Sequence, residues 1–321
     1  MHWASCVVWA SLLMASTTKI LGDILFRNAR INAGKIPCRS KIHLIRRWLS
    51  STTSLQDPMI YTQYSPCGQI ATVELNRPPV NSFSMQFMEE IIRTLESIEK
   101  NNKCRGIIFT SKIPNVFCAG LDLNEVLHSS KGTLVVFRKR FQEMWTLLYG
   151  SSLVTMAAIK VIGMGTEGHA IAGGCVLSLT CDVSVMSPGY KIGLPELSLG
   201  LYLAPWMSGT LINAVGQSKA EKIIYNAEVM SSEQAAAIGL IHKVEPIDNV
   251  LPEVHREMKT WLSVPDESRK LTKARHRKQL LDLLQRTKEE DIEMFVARVT
   301  SEETRKQIAT RLKQMGMKKK I

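Results

Sequence analysis

The chain has 321 residues, 45% of them hydrophobic and 22% charged, which is ordinary for a globular protein and enough for one large domain or two modest ones. Its net charge of +12 is unevenly placed: residues 1–55 carry eight basic side chains and one acid, Asp23, leaving 33 basic against 28 acidic residues, a net of +5, on the remainder. That balance argues against a nucleic-acid partner, and seven cysteines without a CxxC pair or a Cys/His cluster read as reduced and metal-free.

In chain order, residues 1–52 come first. They are rich in Arg and Ser and poor in acid, as mitochondrial transit peptides are, with an expected end near Arg46-Arg47-Trp48-Leu49-Ser50-Ser51. The apolar run Trp3–Met14 lacks a preceding positive region and is too short to span a bilayer. The expectation is a mitochondrial matrix protein with no integral membrane segment. The closing Lys318-Lys319-Lys320-Ile321 reads as a solvated basic end.

Gln69–Leu75 reads as a strand, Asn76–Asn81 as a proline turn, and Ser84–Lys100 as a helix with apolar residues at helical spacing. Gly106–Thr110 is a second strand, and the turn Val116–Leu123 leads into another helix. Phe137–Tyr149 is helical, Leu153–Ile162 a buried strand, and Cys175–Met186 apolar core. Strand–turn–helix units recurring in this way predict an α/β chain with no linker before residue 250. Beyond it, Pro252 and Pro265 punctuate three charged helices, Glu253–Trp261, Ser268–Gln285 and Glu289–Gln314, which need another surface to cover their apolar stripes.

Two glycine turns stand out. Val116-Phe117-Cys118-Ala119-Gly120-Leu121-Asp122-Leu123 and Ala172-Gly173-Gly174-Cys175 each put glycine at the end of an apolar run, where backbone N–H groups can point at a ligand. Each alone is a weak signal, and Asp122 can equally be a helix cap. Glu196 is the only charged residue between Ile192 and Trp206; desolvated there, it would gain a raised pKa and become a useful base near neutral pH. The three together suggest proton chemistry beside a carbonyl.

Other motifs carry less. Gly163–Gly168 matches G-x-G-x-x-G, but Ala172-Gly173-Gly174 interrupts where a helix should follow, and Asp182 arrives fourteen residues after Gly168, too soon for a dinucleotide fold. There is no G-x-S-x-G elbow and no P-loop. His128, His169 and His242 lack metal-binding spacing, and Phe141 with Trp145 reads as core.

From about residue 58 to 314 the chain resembles the crotonase (enoyl-CoA hydratase/isomerase) superfamily, and within it the double-bond-shifting isomerases. The blocks NRPPVNSFSMQFMEEI, VFCAGLDLNEV, IAGGCVLSLTCDVSV, KIGLPELSLGLYLAPWM, YNAEVMSSEQAAAIGLIHKVEP and VPDESRKLTKA occur in family order. The resemblance implies a spiral of ββα units over 58–250 and a C-terminal helical region, 251–321, that builds homotrimers. It implies that the N–H groups of Leu121 and Gly173 form an oxyanion hole and that Ala119, Gly120, Leu121, Asp122 and Leu123 line the acyl-CoA site. Glu196 matches the second of the two glutamates that hydratases place around a water; the first position is Val176. The expected reaction is therefore 3-cis- or 3-trans-enoyl-CoA to 2-trans-enoyl-CoA, with Glu196 moving one proton from C2 to C4 and no cofactor beyond the coenzyme A of the substrate. Another crotonase activity, hydration or hydrolysis, and a non-catalytic acyl-CoA-binding or partner subunit are the alternatives. Val161–Glu167 is an insertion relative to the superfamily, ahead of the Gly168–Gly174 turn; it is expected to loop out, the alternative being that it shifts Gly173 and impairs catalysis.

Overall fold

The computed structural model describes residues 57–160, 169–314 and 316. The expected transit segment 1–52, the Gly163–Gly168 motif, the Val161–Glu167 insertion and the basic end at Lys318–Lys320 lie outside the described residues.

A hairpin opens the fold: β1 (Ile60–Tyr64) pairs antiparallel with β2 (Ile70–Leu75). Helix α1 (Met85–Glu99) follows, capped by the Ser84 hydroxyl on the Phe87 N–H at 3.2 Å, with Phe87, Met88, Ile91, Ile92, Leu95 and Ile98 on its buried face. The chain then repeats a pattern of two strands and a helix. The first unit is β3 (Gly106–Ser111) and β4 (Val116–Cys118), then α2 (Leu123–His128) and α3 (Lys131–Tyr149). The second is β5 (Val154–Ile159) and β6 (His169–Ile171), then α4 (Gly173–Thr180). The third is β7 (Val183–Met186) and β8 (Lys191–Gly193), then a 3-10 turn (Glu196–Leu199) and α5 (Pro205–Val215).

Each unit sends its first strand to one sheet and its second to another. The large sheet runs β1-β2-β3-β5-β7-β10, where β10 is Lys243–Val244, and the small one β4-β6-β8-β9, where β9 is Val229–Ser231. Successive units therefore lie side by side, with β3, β5 and β7 parallel in one sheet and β4, β6 and β8 parallel in the other. This is the α/β ββα spiral expected from the sequence. Helices α6 (Gln217–Tyr225) and α7 (Ser232–Ile238) flank β9.

The end of the chain departs from the sequence expectation. Pro252 does not mark a break but sits inside α8 (Ile247–Leu262). The bond from its missing N–H is lost, yet Val250, Val254, Met258 and Leu262 bury on the large sheet against Val154, Met156 and Val185 and hold the helix there. The boundary expected at residue 250 falls within this helix. The second and third expected helices are also divided elsewhere: α9 is one helix of 35 residues, Asp266–Thr300, passing straight through 285–289, and α10 (Glu302–Gln314) begins after Ser301. The polar run Arg286-Thr287-Lys288 contains neither glycine nor proline, so nothing in it stops a helix. Ser301 does, because its hydroxyl caps the Thr304 N–H at 3.3 Å.

Aromatic rings of α3, α5 and the segment just before α1 fill the centre: Trp145 meets Trp206 edge-on at 4.8 Å between centroids, and Phe141 sits 5.9 Å from Phe83. Helix α9 is tied to the large sheet by a buried charge cluster. The Asp182 carboxylate accepts from Lys273 Nζ and Arg277 Nη2, both at 2.6 Å, and from the Thr155 N–H at 2.8 Å. Replacing Asp182 by Asn would leave two largely buried cations under-compensated. Asp182→Asn is expected to lose about 3–5 kcal/mol of unfolding free energy in a urea titration; a loss below about 1 kcal/mol would contradict this role for the cluster.

Candidate active site

The first glycine turn leaves β4 at Cys118 and is laced to the segment 80–83. The Ala119 N–H donates to the Val80 carbonyl (3.1 Å), the Phe83 N–H to the Gly120 carbonyl (2.7 Å), and the Asp122 N–H to the Phe83 carbonyl (3.0 Å). Asn81 pins the same segment, its Nδ2 donating to the Phe117 carbonyl (2.9 Å) and Ser111 Oγ (2.8 Å). The Leu121 N–H is skipped by this lacing and has no acceptor among the described residues.

The second turn leaves β6 at Ile171. The Ala172 N–H donates to the Gly193 carbonyl at 2.9 Å, and α4 starts at Gly173, whose N–H also lacks an acceptor among the described residues. The two turns touch. A methyl group on Gly120, whose φ is +87°, would come within 2.8 Å of the Gly173 nitrogen, and one on Gly173 within 3.0 Å of the Gly120 Cα. Only glycine permits that approach. Two free amides are thus carried on adjoining turns from successive ββα units.

Glu196 opens the 3-10 turn after Pro195. It is 9% exposed, and its Oε2 has no hydrogen-bond partner among the described residues. Desolvation pushes its carboxyl up from 4.5 to about 7, against a smaller opposing pull that includes the Arg138 guanidinium. The glutamate and both turns line one cavity of about 330 Å³, with Ala119, Leu121, Asp122, Leu123, Gly173 and Glu196 all in its wall. Phe141, Leu201, Met207, Phe295 and Leu312 make the remainder largely apolar. Wider hollows of about 570–620 Å³ lie elsewhere, two beside the ion-paired Asp182 and one between the 3-10 turn and α10. They are more open and contain no buried, unpaired carboxylate, so the chemistry is placed in the smaller cavity.

The structure gives two of the expected lining residues further contacts. Gly120 is not among the residues of the cavity wall; its positive φ sets it against Ala172 and Gly173, where it spaces the two turns. Asp122 reaches the wall, but its carboxylate is already engaged: it binds Arg77 Nη2 at 2.6 Å and caps α2 through the Glu125 N–H at 3.1 Å. Val176 is 2% exposed in α4 and is likewise absent from the wall.

Several wall residues were not foreseen. Arg138 on α3 is 3% exposed and forms a two-pronged pair with Asp291 of α9, at 2.8 Å on each arm. Asp291 also accepts from Gln142 Nε2 at 2.6 Å and from the Tyr202 hydroxyl. The sequence held a signal for Arg138, which follows Phe137 and lies one turn from Leu134 and from Phe141 on the apolar face of its helix. Arg311 and Leu312 come from α10, and no local pattern connects that helix to the glycine turns. Among the described residues no group of His, Cys, Asp and Glu side chains is placed to hold a metal, and no helix is long and apolar enough to cross a membrane.

A family model for enoyl-CoA hydratase/isomerase matches residues 67–317. The chain belongs to that family. Among its curated members, the mouse mitochondrial enoyl-CoA delta isomerase 1 is 35% identical over 256 residues, 79% of this chain and 86% of the relative. The crystal structure of human mitochondrial Δ3-Δ2-enoyl-CoA isomerase superposes with a TM-score of 0.77 at 32% identity, covering 81% of this chain and 98% of that one. A hydratase of the family, human methylglutaconyl-CoA hydratase, is 30% identical over 164 residues, 51% of this chain and 46% of the relative. The crotonase fold and the order of its blocks are therefore as the sequence indicated.

The buried carboxyl has a stability signature. A carboxyl whose pKa is raised on folding favours the native state most below its unfolded value, and that contribution is lost as pH rises from about 4.5 through about 7. Glu196→Gln removes the cost of ionisation. Urea unfolding is expected to show the variant more stable than the native protein by about 3 kcal/mol at pH 8 and level with it near pH 4.5. A stability difference that does not change between those pH values would contradict the burial of an ionising Glu196.

Proposed function

We propose that the protein is an enoyl-CoA delta isomerase, converting 3-cis- or 3-trans-enoyl-CoA to 2-trans-enoyl-CoA by a 1,3-proton shift. The observation that carries this reading is a single unpaired carboxylate, Glu196, in an apolar cavity whose wall also holds the two turns with unused amides. The thioester carbonyl would accept from the Leu121 and Gly173 N–H groups. As the C2 proton leaves, negative charge builds on that oxygen, and one such donor contributes about 3–4 kcal/mol to the transition state. Glu196 takes the proton, leaving a dienolate, and returns it at C4. A carboxyl with a pKa of about 7 suits both halves, since it is a stronger base than an ordinary glutamate and gives the proton back without difficulty.

Isomerisation is favoured over hydration by the residues at the two positions where the family's hydratases carry glutamates. Hydratases hold the attacking water between two glutamates, and the first of those positions is here Val176, buried and apolar. The other carboxylate in the wall, Asp122, is held by Arg77 and the α2 N-terminus. Among the described residues no second carboxylate in the wall is free to orient water. Ala119, Leu121, Asp122 and Leu123 would contact the acyl-CoA, with Gly120 keeping their turn against Gly173. The proton shift as written calls for no metal or redox cofactor; coenzyme A enters as part of the substrate. The mitochondrial relatives and the basic, acid-poor residues 1–52 support a mitochondrial matrix location, and the family resemblance supports a homotrimer built through the C-terminal helices.

The test is a direct assay with short- and long-chain 3-enoyl-CoA. The native protein is expected to form the conjugated 2-enoyl thioester, followed by ultraviolet absorbance, with a rate that falls as pH drops through about 7 because the base must be ionised. Glu196→Gln is expected to lower kcat by at least about a thousandfold. Full activity in that variant, or hydration of 2-enoyl-CoA as fast as isomerisation, would overturn the reading.

A further inference from the structure

The turn that carries Glu196 is too short to fix itself. It has four residues, 3-10 geometry, and two closing bonds from its end: the Gly200 N–H to the Leu197 carbonyl (3.0 Å) and the Leu201 N–H to the Glu196 carbonyl (3.2 Å). Additional bonds reach it from helix α9. The Gly200 carbonyl accepts from Arg298 Nε at 3.0 Å and Arg298 Nη2 at 2.8 Å, and from Thr304 Oγ1 of α10 at 3.2 Å. Two residues on, the Tyr202 hydroxyl donates to the Asp291 carbonyl at 2.8 Å and to the Asp291 carboxylate. Asp291 and Arg298 are seven residues apart on α9, two turns along the same face. One helix face thus grips the segment immediately after Glu196 at two points.

Neither gripping side chain lines the cavity, so neither is placed to touch a substrate there. We propose that Arg298 and Asp291 are positioning residues for Glu196, with α9 serving as the mount that fixes the carboxylate relative to the Leu121 and Gly173 amides. The proposal rests on the reading of Glu196 as the proton-transferring base. It gives the C-terminal helix a part in the reaction: a shift of about 1 Å in a reacting group can cost about a hundredfold in rate.

Arg298 is the cleaner of the two to test, because Asp291 also anchors Arg138 and Gln142. The Arg298 side chain is 40% exposed, so its loss does not strand a buried charge. Full-length Arg298→Met and Arg298→Lys are compared with the native protein in two measurements: steady-state isomerisation of 3-enoyl-CoA, and hydrogen–deuterium exchange over residues 194–204. Arg298→Met is expected to lower kcat by about ten- to a hundredfold with KM within about twofold, since the base is displaced while the acyl-CoA contacts remain. Exchange at the Leu201 amide, which closes on Glu196, is expected to quicken about tenfold, with the thermal midpoint shifted by no more than about 4 °C. Arg298→Lys, which retains a donor, is expected to recover part of both losses. A native kcat in Arg298→Met, a matching rise in KM, or unchanged exchange over 194–204 would each overturn the proposal. If the native protein isomerises no 3-enoyl-CoA, the proposed function fails on its own; the exchange measurement then still decides whether Arg298 fixes the turn.

Discussion

One carboxylate left unpaired in a largely apolar cavity is the constraint around which this protein is built. Burying an ionisable group without a partner is costly, and other buried carboxylates among the described residues are paired. Asp182 has Lys273 and Arg277, Asp291 has Arg138, Asp122 has Arg77, and the buried Glu253 has Lys243 at 2.7 Å. Glu196 alone among these has a carboxylate oxygen facing an apolar cavity with no hydrogen-bond partner among the described residues and no ion pair recorded. Its raised pKa is the direct result, and it turns an ordinary side chain into a base suited to neutral pH. The nearby Arg138 moderates the effect without cancelling it, because its guanidinium is already committed to Asp291.

The spiral supplies the rest of the site by repetition. Each ββα unit ends its second strand in the small sheet, so the exits of β4, β6 and β8 lie side by side. The first exit gives the Leu121 turn, the second the Gly173 turn and the third Glu196. Three successive repeats therefore deliver two amides and a base to one end of one sheet. Helices α3, α5, α9 and α10 add Phe141, Met207, Phe295 and Leu312 to the wall. A proton shift from C2 to C4 needs this combination: donors for the developing oxyanion and one mobile proton carrier.

How much of this the sequence made legible follows from the range of the interactions. Helix α1 was readable because its apolar spacing and Ser84 cap are local, and Glu196 because a lone acid in an apolar run is conspicuous. The pairing of the two glycine turns was suggested by their shared pattern, but the reason for Gly120 was hidden; it depends on the approach of Gly173, more than fifty residues away. Strands β6, β8 and β9 have three residues each, too few for a period-2 pattern, and exist because neighbouring strands complete them. Pro252 misled because its local cost is outweighed by the burial of Val250, Val254, Met258 and Leu262 on the sheet. The grip of α9 on the Glu196 segment joins residues about ninety to a hundred positions apart and leaves no trace in either segment alone.

The most direct test of the central claim, that one carboxylate carries the proton from C2 to C4, follows the proton itself. A 3-enoyl-CoA labelled with deuterium at C2 is converted in ordinary water in a single turnover, and the product is examined by mass spectrometry and proton NMR. The account predicts 2-enoyl-CoA with deuterium at C4 well above the natural background, because the shielded Glu196 returns part of what it removed. No deuterium at C4 above background, together with a 3-hydroxyacyl-CoA product, would contradict it.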